Sequence, residues 1–177
     1  MRNVTLPLDA TTPPAATREP APQGLAATFA RLRRYPLGRE LFSRAVTWRA
    51  PYFASISPQF RELKPGLAEV FIRNQRKVHN HLGSVNAIAM CAMAELAAGT
   101  MMETSLPRGL RWIPRGMTVR YLAQGSSDLT ARAELAPLAA DFRGDVTVPV
   151  RVRNSAGETV MEADIAMYVS ARKPKAA

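Results

Sequence analysis

Glu95 is the residue that most needs a chemical explanation. It stands in Met90-Cys91-Ala92-Met93-Ala94-Glu95-Leu96-Ala97-Ala98, a run with no other charge. A carboxylate there must be paired, protonated or open to a cleft, because a bare charge in an apolar interior costs several kcal/mol. Two readings follow from the residues alone: a salt bridge to one of the many arginines, or a general base or nucleophile in a site.

The segment Asn80-His81-Leu82-Gly83-Ser84-Val85-Asn86-Ala87 leads into that run, and Glu95 lies eight residues after Ala87, a little over two helical turns. The first amides of a helix point free N–H groups outward and form a site for an anion or a developing oxyanion. Asn86 and Ala87 stand at that end. Ser84 is a candidate N-cap, and the side-chain amides of Asn80 and Asn86 can orient a water or a carbonyl. Each of these residues also has an ordinary use in a turn or cap. His79 and His81 lack the carboxylate spacing of a metal site, so no metal is expected.

These residues must be positioned by the elements around them. Val85 to Glu103 is apolar or small on nearly every face, unlike a surface helix with a single stripe, so it must be a helix wrapped by other structure. Before it, Tyr52 to Ser57 is short and β-prone, Lys64-Pro65-Gly66 is a turn, and Ala68 to Arg73 alternates, which together predict a hairpin. After it, Met117 to Ala123, Leu129 to Leu135, Val146 to Val152 and Val160 to Val169 read as strands, with Leu110 to Ile113 a possible extension of the first. A hairpin, one buried helix and an antiparallel run make an α+β protein whose sheet curls around that helix.

Two amphipathic helical pieces precede Pro51, with Leu25, Phe29 and Leu32, then Leu41, Phe42, Ala45 and Val46, at helical spacing. They are expected to cover an edge or opening of the following domain. The division expected is a disordered Pro-, Ala- and Thr-rich leader over 1–23, a helical segment over 24–50, a single domain over 51–171 and a basic tail over 172–177.

At 177 residues and 47% hydrophobic content the chain has room for one domain with a substantial core and none for a second. Its single cysteine, Cys91, excludes a disulfide framework or a cysteine zinc cluster and suggests a reducing, cytoplasmic setting. The net charge of +10 favours anionic partners: nucleic acid, acidic lipid or the phosphates of a substrate. Because the arginines are scattered from Arg2 to Arg172, nucleic acid is not the expected partner. No secretory signal is visible, and Val85 to Met102, with Asn86, Glu95 and Gly99, is not expected to span a membrane.

The motif from Asn80 to Glu95 resembles the hotdog acyl-CoA thioesterases of the phenylacetate-degradation and 4-hydroxybenzoyl-CoA type. That family shows Asn, a Gly three residues on, His-Gly-Gly opening the helix, and Asp or Glu eight residues after the first of those glycines. This chain has Asn80, Gly83, Asn86-Ala87-Ile88 and Glu95 at the matching places. The helices before Pro51 and Arg49-Ala50-Pro51-Tyr52-Phe53 are similar to a bacterial branch with few characterised members. The resemblance implies a hotdog fold, a curved antiparallel sheet around one long helix. It also implies a homodimer or a dimer of dimers with active sites at the subunit interface.

By the same resemblance, Glu95 acts on a thioester as base or nucleophile, the Ala87 amide holds the oxyanion, and Asn80 and Asn86 orient water or substrate. Gly83 and Ile88 would lie against the substrate. Arg111, Arg115 and Arg120 are candidates for the coenzyme A phosphates, since arginine binds phosphate bidentately. Coenzyme A belongs to the substrate, and no separate cofactor is implied. Ile88, where the family has Gly, narrows the room at the helix start. It favours, as the alternative, an acyl-CoA- or lipid-binding hotdog protein without catalysis.

Overall fold

The computed structural model describes residues 24–107 and 109–172. The expected leader and the last five residues of the expected tail lie outside these. Helices α1 (Gly24–Leu32) and α2 (Gly38–Arg49) come first. A 3-10 turn over Pro51–Ile56 follows, then strands β1 (Gln59–Lys64) and β2 (Leu67–Ile72). A short 3-10 turn over Arg76–Val78 leads to the long helix α3 (Ala87–Ser105). The chain ends with β3 (Leu110–Tyr121), β4 (Leu129–Glu134), β5 (Gly144–Arg153) and β6 (Thr159–Ala171).

The six strands form one antiparallel sheet in the order β1-β2-β4-β5-β6-β3. Its inner face is read directly from the alternation. Val148, Val150 and Val152 of β5 and Met161, Ala163, Ile165, Met167 and Val169 of β6 are buried, with exposed or half-buried residues between most of them. Helix α3 lies against this face and touches all six strands. Twelve of its nineteen residues are buried, which explains its lack of a polar stripe. Ala92, Ala94, Ala97 and Ala98 hold no bulk and let strands approach, while Met93, Met101 and Met102 fill the gaps between them. The sheet curved around one long helix is the architecture expected above.

The hairpin is present, but its first strand is Gln59–Lys64, not Tyr52 to Ser57. Pro51 has no N–H for a ladder and suits the first position of a helical turn, so the β-prone residues Tyr52 and Phe53 coil into the 3-10 turn instead. The strand expected at Met117 starts at Leu110, with a bulge between Pro114 and Gly116 that accommodates the proline.

Helices α1 and α2 pack on β1. Phe29, Phe42 and Phe60 form an edge-to-face stack, with centroids 5.0 Å apart for the first pair and 5.2 Å for the second. The Ser43 hydroxyl accepts from the Phe60 N–H at 3.0 Å and donates to the Arg39 carbonyl at 2.7 Å, so this buried polar group is fully used. At the surface, Arg33 and Glu62 form an ion pair at 2.7 Å.

Candidate active site

The loop entering α3 is built by Asn80. Its Oδ1 accepts from the N–H groups of Leu82 at 2.9 Å and Ser84 at 3.3 Å, and its Nδ2 donates to the Ser84 hydroxyl at 3.0 Å. Gly83 supplies the positive φ of 78° that closes this turn, a conformation side-chain-bearing residues avoid. Most of the hydrogen-bonding capacity of Asn80 is therefore spent on shaping the loop rather than facing a substrate.

Two backbone bonds fix the exit of the loop, Asn86 N–H to the Val78 carbonyl at 2.7 Å and Val85 N–H to the Gly125 carbonyl at 2.9 Å. The N-cap of α3 is Asn86, whose Oδ1 accepts from the Ile88 N–H at 2.8 Å. The expected cap, Ser84, is buried in the turn and bonded to Asn80. Among the described residues no acceptor pairs with the Ala87 N–H, so the amide expected to hold an oxyanion is available. Ile88 is 62% exposed. It lines the outside of the helix start rather than filling an internal cavity.

Glu95 is half-buried, and among the described residues it makes no hydrogen bond or ion pair. The expected alternative, a salt bridge within the chain, is absent among those residues. Ile88, Cys91, Glu95 and Gly99 follow one another at steps of three and four along α3, so they share one face. That face meets β3, the strand at the edge of the sheet. The Cys91 Sγ lies 3.0 Å from the Tyr121 hydroxyl, which also reaches the Ala87 carbonyl at 3.4 Å. At the other end the Trp112 indole covers Gly99, and its Nε1–H donates to Glu103 at 3.2 Å. Glu95 lies between these two contacts along α3.

Tyr121 is kept protonated. Burial of its hydroxyl beside α3, then the hydrogen bond with Cys91, push its pKa up to about 12. At neutral pH it is a hydroxyl that can donate as well as accept. Tyr121 and Trp112 were not among the residues singled out from the sequence.

Residues 38–169 match the family model of a domain of unknown function, DUF4442. The chain belongs to the DUF4442 family. It is similar to the solved structure of a structural-genomics protein, APC5556, with 44% identity over 84% of this chain and 99% of that one and a TM-score of 0.75. A Pseudomonas aeruginosa protein described as a probable thioesterase is 20% identical over 78% of this chain and 97% of its own, with a TM-score of 0.66. A Haemophilus influenzae thioesterase is 14% identical over 68% and 82%, with a TM-score of 0.61. No curated protein matches the sequence. The fold of this DUF4442 protein is the hotdog fold.

The three arginines proposed for phosphate lie on β3. Arg111 donates to the Ser170 hydroxyl at 3.3 Å, Arg115 pairs with Asp145 at 2.9 Å and lies over the Tyr168 ring, and Arg120 pairs with Glu162 at 2.6 Å. Arg120 belongs to a row of charges across the outer face of the sheet, Glu69, Arg132, Arg151, Glu162 and Arg120, at matching register on five strands. The Arg120 guanidinium holds the Glu162 carboxyl below the usual carboxylate range. Arg115 and Arg120 thus have carboxylate partners already, and Arg111 is the freest of the three.

Among the described residues no three of His, Cys, Asp and Glu converge as a metal site. His79 Nε2 is held by the Asn74 side chain at 2.5 Å. No described helix is long and apolar enough to cross a membrane.

Proposed function

We propose that this DUF4442 protein hydrolyses an acyl-coenzyme A thioester, with Glu95 as the general base or nucleophile. The observation carrying this reading is the half-buried Glu95, without a partner among the described residues, on the face of α3 that meets an open sheet edge, with a free Ala87 amide at the start of the same helix. A half-buried carboxylate without an ion pair gains nothing from packing and keeps its charge available. Half-buried in the middle of α3, it can accept a proton from water as the water oxygen attacks the thioester carbonyl. The Ala87 N–H of a second copy at the interface, rather than the one about 12 Å along the same helix, then stabilises the oxyanion, and collapse of the tetrahedral intermediate breaks the C–S bond to release coenzyme A.

The thioesterases among the structural neighbours support the reaction class, and the phenylacetate-degradation and 4-hydroxybenzoyl-CoA type supplies the template. This chain departs from that template at Asn86-Ala87-Ile88. The amide of Ala87 needs no particular side chain, and Asn86 takes the capping role. Asn80 and Gly83 serve by aiming the loop, and Arg111 remains a candidate for a coenzyme A phosphate.

A second copy of the chain pairing along β3 would cover the face of α3 that carries Glu95, which fits a homodimer with its sites at the interface. The exposure of Ile88 at the helix start supports, as a second reading, an acyl-CoA binder without turnover. Free thiol release from a panel of short, long and aromatic acyl-CoAs separates the two. Turnover of at least one substrate supports the hydrolase, whereas tight binding without any thiol release leaves only the binder.

A further inference from the structure

Among the described residues the large apolar side chains left exposed fall into two groups of five. Leu82, Ile88, Ile113, Tyr121 and Leu122 surround the start of α3 and the β3 edge, and belong to the site already described. Tyr35, Leu37, Leu41, Trp48 and Tyr52 do not; they lie on the turn after α1, on α2 and on the 3-10 turn that follows. Trp48 is 84% exposed.

This second group has a direction. On α2 the buried side is Phe42 and Ser43, with Val46 half-buried. Leu41, Arg44, Ala45 and Trp48, at steps of three and four, form the opposite, outward face. Leu37, at the tip between the helices, holds φ at 61°, in the left-handed region that side-chain-bearing residues avoid, and is 68% exposed. A leucine held outward in that conformation adds nothing to the core.

Charge surrounds the apolar face. The segment from Gly24 to Arg49 holds six arginines and one glutamate. Arg33 is paired with Glu62, but among the described residues none of Arg31, Arg34, Arg39, Arg44 and Arg49 pairs with a carboxylate. Outward leucines and aromatics flanked by unpaired arginines are the pattern of a helix lying in a lipid interface, its rings at headgroup depth and its cations on phosphates.

We propose that α2 and the turns at its two ends dock this protein on an anionic phospholipid surface. A second copy of the chain is a poor occupant, because a two-fold contact would press the same five unpaired arginines against themselves. Duplex nucleic acid would satisfy the arginines and leave Leu37 and Leu41 in water. A bilayer surface satisfies both. The docking face also lies close to the site: the 3-10 turn carrying Tyr52 touches α3 and the Arg76–Val78 turn, where Lys77 reaches the Ala54 carbonyl and the Ser57 hydroxyl. The inference does not rest on the hydrolase reading.

The test is flotation of the full chain with vesicles of phosphatidylcholine alone or mixed with phosphatidylglycerol, at low and high salt. The protein should float with the mixed vesicles only, and less so at high salt. Leu41→Ser with Trp48→Ser should weaken flotation about tenfold, and Arg44→Gln with Arg49→Gln severalfold, with thermal midpoints unchanged because none of these side chains is in the core. The two pairs remove different attractions, so each checks the other should one of them disturb folding. Three results would overturn the proposal: wild type failing to float with the mixed vesicles, folded variants floating as well as wild type, or Leu41→Ser/Trp48→Ser lowering the oligomeric mass while flotation persists. Short duplex DNA that displaces the vesicles and whose binding is weakened equally by both variant pairs would assign the face to nucleic acid instead.

Discussion

The Trp112 indole occupies the space that a side chain on Gly99 would need. A Cβ at Gly99 would lie 2.8 Å from its Cη2 and 3.2 Å from its Cζ2. This close approach of α3 to the edge strand lies one turn along the helix from Glu95.

Substituting Gly99 separates two opposed effects. Alanine in a helix interior gains about 1 kcal/mol over glycine, while overpacking costs about 1–3 kcal/mol, so Gly99→Ala should change stability little. Its expected signature is a shift in tryptophan emission as the indole moves from Glu103. Gly99→Leu should lower the thermal midpoint by about 10 °C, since the larger side chain has no room without displacing Trp112. A midpoint within about 2 °C of wild type would show that the contact is loose.

Tyr121 gives a pH-dependent test. Its pKa is pushed up to about 12 in the folded protein, chiefly by burial, against about 10 in an unfolded chain. The folded state therefore holds this proton where the unfolded state has released it. The stabilisation is complete below pH 10 and is lost as pH rises from about 10 to 12. Phenolate absorbance should show one of the four tyrosines ionising late, and Tyr121→Phe should remove that late step. Should the late step persist in Tyr121→Phe, the hydroxyl is not held beside α3.

Much of this arrangement was legible in the sequence, and the exceptions have a common cause. Val85 to Glu103 could be read as a wrapped helix because no polar stripe interrupts it, and the strands after Gly109 alternate clearly. Glu95 stood out because it is the one charge in that helix before Glu103. What was not legible depends on contacts distant in the chain. Tyr121 and Trp112 reach α3 only because β3 pairs with β6 at the far edge of the sheet, a placement no local pattern encodes. The cap fell to Asn86 rather than Ser84 because Asn80 had already drawn Ser84 into the turn. Pro51 decided the 3-10 turn against the β propensity of its neighbours.

The cap can be tested by itself. Asn86→Ala should cost about 1 kcal/mol, a fall of about 3 °C in the thermal midpoint, and Asn86→Asp should recover it because the carboxylate accepts from the same N–H. Differential scanning of the three proteins decides this. Equal midpoints for all three would mean that the Asn86–Ile88 bond carries no stability.

Sedimentation checks the assembly. Strand β3 leaves one edge of the sheet unpaired among the described residues over twelve residues, long enough to template pairing with a second copy. The expected mass at micromolar concentration is at least twice the 19.4 kDa of one chain. A clean monomer would remove the subunit interface from the account.

The most direct measurement is the rate of acyl-CoA hydrolysis by Glu95→Gln, taken with its thermal midpoint. The isostere keeps shape and removes charge. With no partner for Glu95 among the described residues, the account predicts a rate at least about a hundredfold lower and a midpoint near that of wild type. A buried ion pair across a subunit boundary would instead give a fall of about 3 kcal/mol or more in stability. Full activity in Glu95→Gln, or lost stability with the rate per folded molecule intact, would contradict the catalytic assignment.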